Sequence, residues 1–401
     1  MSKITDIFRN YYSQCEEKYA IAYHARKAAC RIINCRTEAM GGHVQECPDG
    51  HHSQIWFNSC KHRMCPQCSE IDKERWIQKQ SEKTLNTHHH HAVFTIPHEF
   101  NRLWLLNPKK MTGILFKAAK EALFCMVEDE RFLEAYPGMI AILQTWGENL
   151  AFHPHLHCLV TGGGLTEEGN WKKSNENFLI PVEGRGLMSV FRAKFIDKVR
   201  KLVEKEELEK DDIRTYEEIK EMLDQLKKKD WNIFIDEEPV YGNGVIKYLG
   251  RYIKGGPISD ERIISYDENE VKFYYKDNKN DSKKKVITLA TEEFIRRFLL
   301  HTPPKHLKVV RYYGLYSSAK REELISCRKK FGQGEIDYPE DISWQDYCKN
   351  QGHENVGVCP VCGKELVKGE EFDAGKLDIL LLMMGKELKE DLTLKDRKKL
   401  A

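Results

Sequence analysis

Phe152-His153-Pro154-His155-Leu156-His157 is the stretch from which the rest of this chain is read. On a β-strand, alternate side chains share a face. His155 and His157 then point the same way, while Leu156 points into a core. Two imidazoles at that spacing form a two-point clamp for a divalent cation. Met139 to Trp146 reads as the preceding strand, joined by a turn at Gly147-Glu148-Asn149. This register lays Gln144 roughly across from both histidines, and an amide oxygen suits Mg2+ or Mn2+. A lone histidine defaults to a packing role. Three at alternate positions beside a Gly-rich turn favour a site.

Working outward, Ala92 to Ile96 reads as a strand closed by Pro97, and 102–127 as a helix. Upstream, 4–40 reads as helical, with Ile4, Ile7, Phe8, Tyr11 and Tyr12 recurring on one face. A polar helix runs from about Glu70 to Thr84. His88–His91 resembles an affinity tag, but it sits inside the chain before a strand and is read as native. Downstream, a helix begins near Leu187, and a short strand spans Trp231 to Ile235. A short helix covers 244–254, and a hairpin turns at Asp267-Glu268-Asn269. Val286 to Leu289 is a further strand, and Thr291 caps a helix through Leu300. Strands and helices alternate without βα crossovers, so the expected core is an antiparallel sheet flanked by helices, an α+β class. Three consecutive parts are expected, 1–85, 86–320 and 321–401.

Tyr248-Leu249-Gly250-Arg251-Tyr252 places two phenols at i and i+4, on one face of a helix. A phenol with a pKa near 10 is a poor nucleophile at neutral pH, and a metal-polarised phosphate lowers the demand on it. Alone, such a pair reads as core packing; it gains weight from the His-Leu-His element before it.

The thirteen cysteines crowd both ends of the chain. There is no apolar signal-peptide core, so the compartment is expected to be reducing and disulfides are not expected. Cys47-Pro-Asp-Gly-His51 and Cys65-Pro-Gln-Cys68 form two close ligand pairs, the pattern of a four-coordinate zinc site. His52, Cys60 and His62 are alternatives to His51, and Cys35 is near. Cys359-Pro-Val-Cys362 is half of a second zinc site, which Cys327, Cys348 or His353 would complete.

The 401 residues carry 64 Lys and Arg against 62 Asp and Glu, a net charge of +2. Any nucleic-acid surface must therefore be local. No run of about 18 apolar residues exists, so no membrane partner is expected.

Taken together, these motifs resemble the insertion-sequence 91 family of rolling-circle transposases. His155-Leu156-His157 is similar to the family's HUH motif, and Tyr248 with Tyr252 to its paired tyrosines. The segment Cys35 to His43 resembles the entry to its zinc-binding N-terminal domain, and Asn58 to Cys68 that domain's core. Val93 to Pro97, Phe152 to His157, Lys247 to Tyr252, Phe294 to Phe298 and Arg311 to Leu315 resemble further signatures in order. There are departures. The family often has His where this chain has Gln144. The second cysteine of the N-terminal pair is absent, with His51 in its vicinity, and the residues after Tyr252 are less basic.

The resemblance implies an HUH-type sheet and a small N-terminal zinc-binding domain; the Cys359 to Cys362 spacing and the charged end read as a C-terminal helical zinc-knuckle segment. It implies that one tyrosine attacks a phosphate of single-stranded DNA at element ends and target. His155, His157 and Gln144 would hold Mg2+ or Mn2+, and Zn2+ would be structural. Arg251, Lys254, Arg296, Arg297, Lys305, Lys308 and Arg311, interleaved with Tyr312, Tyr313 and Tyr316, would position the strand. Such a protein would act in the cytoplasm, at the nucleoid. Competing readings are a plasmid relaxase or rolling-circle replication initiator, a zinc-dependent DNA-binding regulator without catalysis, and a metallohydrolase.

Overall fold

A computed structural model describes residues 2–174, 185–210, 214–236, 240–241, 243–250, 256–277, 283–352 and 356–373. Helices α1 (Lys3–Lys18) and α2 (Tyr23–Asn34) precede the hairpin β1 (Gly42–Glu46) and β2 (Ser53–Phe57), then α3 (Pro66–Lys83). Next come β3 (His88–Thr95), α4 (Asn101–Leu106), α5 (Pro108–Val127), β4 (Gly138–Trp146) and β5 (Phe152–Thr161). A short pair, β6 (Gly163–Leu165) and β7 (Trp171–Lys173), leads to α6 (Arg185–Glu204) and α7 (Tyr216–Lys228). After these lie β8 (Ile233–Ile235), β9 (Val240–Tyr241) and α8 (Asn243–Gly250). The meander β10 (Ile263–Tyr266), β11 (Glu270–Asp277) and β12 (Lys283–Ala290) runs into α9 (Thr291–Leu300). Last are β13 (Val310–Gly314), α10 (Arg321–Lys330), α11 (Trp344–Asn350) and β14 (Val367–Phe372).

Two expected helices are each broken. The one expected over 4–40 stops at Tyr19, whose backbone is extended, and restarts at Tyr23. The break turns the chain so that α1 and α2 both pack on α9. Asn107 separates α4 from α5, and Pro108 then starts α5, where a missing N–H costs nothing. Thr291 opens α9, but its hydroxyl donates to the Asp267 carbonyl at 2.8 Å rather than capping the helix.

Contacts divide the described residues into two compact units, which are not consecutive stretches. The first takes those within 1–75, 254–302 and 340–401; the second takes those within 76–253 and 303–339. This differs from the expected division at 85 and 320. β14 comes from the far end of the chain to pair with β1, and α9 brings its neighbours onto α1.

In the first unit β14-β1-β2 and β10-β11-β12 form two antiparallel sheets. Ser2 caps α1 through the Thr5 amide at 3.2 Å, and Asp260 accepts from Ser2 Oγ and from the Ile4 amide. Phe8 meets Phe298 edge-on at 5.1 Å, so the apolar stripe of α1 is buried against α9.

The second unit is built on the antiparallel order β13-β4-β5-β3-β8, with β9 also pairing β3. All these pairings are antiparallel. The alternation of side chains sorts two cores. Ala92, Phe94, Ala141, Leu143, Leu156 and Cys158 face one way, against α5, α6 and α7. Ile140, Ile142 and Leu159 face the other way, against Ile77 of α3, Ile246 of α8 and Leu324 of α10. The tag-like histidines are strand interior: His89, His90 and His91 are all buried in β3.

Candidate active site and metal centres

The register pairs Gln144 with His155 and Ile142 with His157. The two histidines therefore share the sheet face of Ile142, as the His-Leu-His spacing requires. Their side chains converge. His155 Nε2 lies 3.0 Å from Gln144 Oε1, His157 Nε2 lies 2.7 Å from it, and the two Nε2 atoms are 3.1 Å apart.

The protonation of these rings follows from their partners. His155 Nδ1 is 2.7 Å from the His153 carbonyl, which only accepts, so Nδ1 carries the proton and Nε2 keeps its lone pair. Burial lowers the His155 pKa to about 4 and takes that of His157 well below its ordinary value, so both are neutral at pH 7. His157 Nδ1 meets His91 Nε2 at 3.0 Å, and the Asp236 carboxylate acts electrostatically on His91. A proton on His157 Nδ1, accepted by His91, leaves His157 Nε2 free to bind a cation. His91 was missed in the sequence, although its parity with Val93 and Thr95 in β3 marks the face it takes.

Helix α8, which carries position 248, packs on this same face. Ile246 is fully buried there among Ile140, Ile142 and Leu159. Tyr252, Arg251 and Lys254 lie outside the described residues, as does the side chain of Tyr248.

Sulfur ligands are sorted differently from expectation. Cys65 and Cys68 join Cys35 and Cys60, not Cys47 and His51. The four sulfurs lie within 4.8 Å of one another, with Cys35 to Cys68 at 3.4 Å and Cys60 to Cys68 at 3.7 Å. A tetrahedron of Zn–S bonds of about 2.3 Å separates its sulfurs by about 3.8 Å, so the set fits zinc. The neighbouring thiols hold Cys35 and Cys68 below the ordinary range and push Cys60 and Cys65 above it. Four thiolates this close need a cation to coexist. Cys47 and His51 instead meet Cys359 and Cys362 in a second cluster. Cys327 is buried in the second unit's core and Cys348 is buried on α11; among the described residues neither joins a group of metal ligands, and His353 lies outside the described residues.

The expected basic positions are not equivalent. Both Arg296 and Arg297 bind Glu293 on their own helix, at 2.6 Å and 2.7 Å, because i to i+3 and i+4 spacing brings them over it. Arg311 lies 4.3 Å over the Phe116 ring. Tyr316 is buried and its hydroxyl is 2.6 Å from His89 Nε2, so it is core and not a stacking platform. A cleft of about 1100 Å3 in the first unit was not foreseen; Arg31, Arg36, Trp56, Lys61, Arg75 and Trp344 line it. Arg36 stacks 4.5 Å from the Trp344 ring, and its Nε and the Trp344 Nε1 are buried without hydrogen-bond partners.

The comparisons with known proteins fall on this frame. A family model described as "Transposase zinc-binding domain" matches residues 7–96, and one described as "Putative transposase" matches 138–323. A "Putative transposase y4qJ" of Sinorhizobium fredii is 33% identical over 92% of this chain and 96% of its own length. The chain belongs to the insertion-sequence 91 family of transposases. A relative described as the transposase for insertion sequence element IS801, from Pseudomonas savastanoi pv. phaseolicola, is 28% identical over 72% of this chain and 69% of its own. No solved structure matches. Membership makes this transposase a DNA-processing enzyme with structural zinc in its N-terminal region. Among its described residues, no helix is long and apolar enough to cross a membrane.

Proposed function

We propose that this transposase nicks and rejoins single-stranded DNA at the ends of its element, in rolling-circle fashion, through a tyrosine linked to a 5′ phosphate. The observation that carries this reading is the convergence of His155 Nε2, His157 Nε2 and Gln144 Oε1 on the sheet face covered by α8. Three acceptors facing one another repel unless a cation or a proton lies between them. Ligands at right angles around Mg2+, at about 2.1 Å, lie about 3.0 Å apart. The observed 2.7, 3.0 and 3.1 Å suit three neighbouring positions of such an octahedron. When bound, Mg2+ or Mn2+ supplies positive charge for the developing charge on the phosphate oxygens.

The chain's residues divide the work. His155, His157 and Gln144 would hold the ion, and His91 orients His157 through the contact between their rings. The phenolic oxygen of Tyr248 or Tyr252 displaces the 3′ oxygen of the scissile phosphate. A tyrosine O–P bond forms, the P–O3′ bond breaks, the phenolic proton leaves and the 3′ oxygen gains one. The linkage retains the phosphodiester energy, so a 3′-OH reseals it by the reverse displacement. A second tyrosine permits another cleavage while the first is occupied. The cleft beside the Cys35 cluster, with its arginines and indoles, suits a strand's phosphates and bases. The reaction would take place in the cytoplasm, at the nucleoid.

The test is covalent capture of a single-stranded oligonucleotide carrying the element's own end, with Mn2+, on a denaturing gel. Wild type should give an adduct, and Tyr248→Phe with Tyr252→Phe together should give none. Gln144→Met should raise the Mn2+ concentration needed. An adduct from the double variant, or none from wild type, overturns the mechanism.

A further inference from the structure

We propose that Cys47, His51, Cys359 and Cys362 form a second zinc site, which fastens the C-terminal segment to the N-terminal hairpin. The matched zinc-binding region ends at residue 96, so it contains neither Cys359 nor Cys362.

The four ligand atoms lie within 4.8 Å of one another. Cys47 Sγ is 3.5 Å from Cys362 Sγ and 3.7 Å from His51 Nδ1. Tetrahedral zinc, with Zn–S about 2.3 Å and Zn–N about 2.05 Å, sets these separations near about 3.8 and 3.6 Å. Three sulfurs and one imidazole form a donor set that favours zinc over oxygen-seeking cations.

Two turns of the same design present these ligands. In each, proline follows the cysteine, and the cysteine amide donates to the carbonyl five residues on: Cys47 to His52 at 2.8 Å, Cys359 to Lys364 at 2.7 Å. Each turn also needs a left-handed residue, Gly50 at φ +75° and Gly363 at φ +73°. In the first turn that glycine stands three residues after the cysteine, where the second turn has Cys362. The next residue, His51, supplies the ligand through its longer side chain. Lys364 and Asp49 join the two turns at 2.7 Å.

The need for an ion follows from the size of the core beneath. Among the described residues, only Val44 and Phe372 are buried in the cluster under β14-β1-β2, with Ile55 and Phe57 packed partly against them. So small a core holds a three-stranded sheet weakly, and small modules of this kind add a metal or a disulfide. The first cluster draws on Cys35 before β1 and Cys60 after β2, whereas this one lies at the hairpin's turn. The two sites therefore hold opposite ends of the hairpin. The second also holds the segment that supplies Trp344 and Lys368 to the cleft.

The test uses the full chain and is independent of DNA cleavage. Thiolate-to-cobalt charge-transfer absorption counts only sulfur-ligated metal. Titration with Co2+ should give two equivalents for wild type and one for Cys359→Ser with Cys362→Ser. In that variant, proteolysis within 340–373 should accelerate and lose its dependence on zinc. His51→Cys should keep both equivalents and shift one spectrum from that of three sulfurs and a nitrogen toward that of four sulfurs, which guards against a misfolded serine variant. One equivalent in wild type, two in the serine variant, or an unchanged spectrum in His51→Cys overturns the proposal.

Discussion

Replacing His90 with leucine isolates the acid sensitivity of one buried imidazole. His90 is 2% exposed in β3, and its ring lies 3.5 Å from Ser174 Oγ. Burial, helped by His88, lowers its pKa from 6.5 to about 4. The folded form is therefore neutral in a range where the unfolded form is protonated. Unfolding takes up a proton, so stability is complete above pH 6.5 and declines as pH falls toward 4. Between pH 7 and pH 5 linkage gives a loss of about 2 kcal/mol from this one group, approaching about 3 kcal/mol at pH 4. That is a large share of a typical stability of about 5–15 kcal/mol. His89, with a pKa of about 4, acts in the same direction. Urea unfolding of wild type and His90→Leu at pH 7, 6 and 5 measures the difference. Wild type should lose about 2 kcal/mol more than the variant over that interval. Parallel losses would refute the reasoning, because they would mean that the His90 proton is bound alike in both states.

Replacing His91 with leucine should raise the Mn2+ concentration for half-maximal nicking about 10- to 100-fold, the usual effect of removing a ligand's outer partner. His91→Asn, which retains an acceptor, should recover part of it; a metal titration of nicking rate checks both. Ile246→Ala should destabilise the second unit by about 2–5 kcal/mol and lower adduct yield, because it empties the contact that holds α8 on the histidine face. Unfolding midpoints and the covalent assay, run side by side, would expose a change in one without the other.

The candidate active site was largely legible because its parts are local. His155 and His157 are two residues apart, and strand geometry alone puts them on one face. A short turn connects β4 to β5, so the partner position of Gln144 follows from counting. His91 escaped notice because its role depends on β3 lying beside β5, and a run of four histidines gives no sign of which ring meets which. Arg296 and Arg297, expected to position the strand, are both ion-paired with Glu293, which sits within their reach on the same helix turn.

The cysteines mark the limit of local reading. Spacing determined that Cys65-Pro-Gln-Cys68 and Cys359-Pro-Val-Cys362 each present two sulfurs from one tight turn, because that depends on only a few backbone angles. It could not determine which turns share a cluster. That choice is made by β14 pairing with β1, which carries Cys362 to Cys47 across most of the chain, while Cys35 and Cys60 close around Cys65 and Cys68. Ligand type is written in neighbouring residues; ligand partnership is a long-range contact, and only the folded chain decides it.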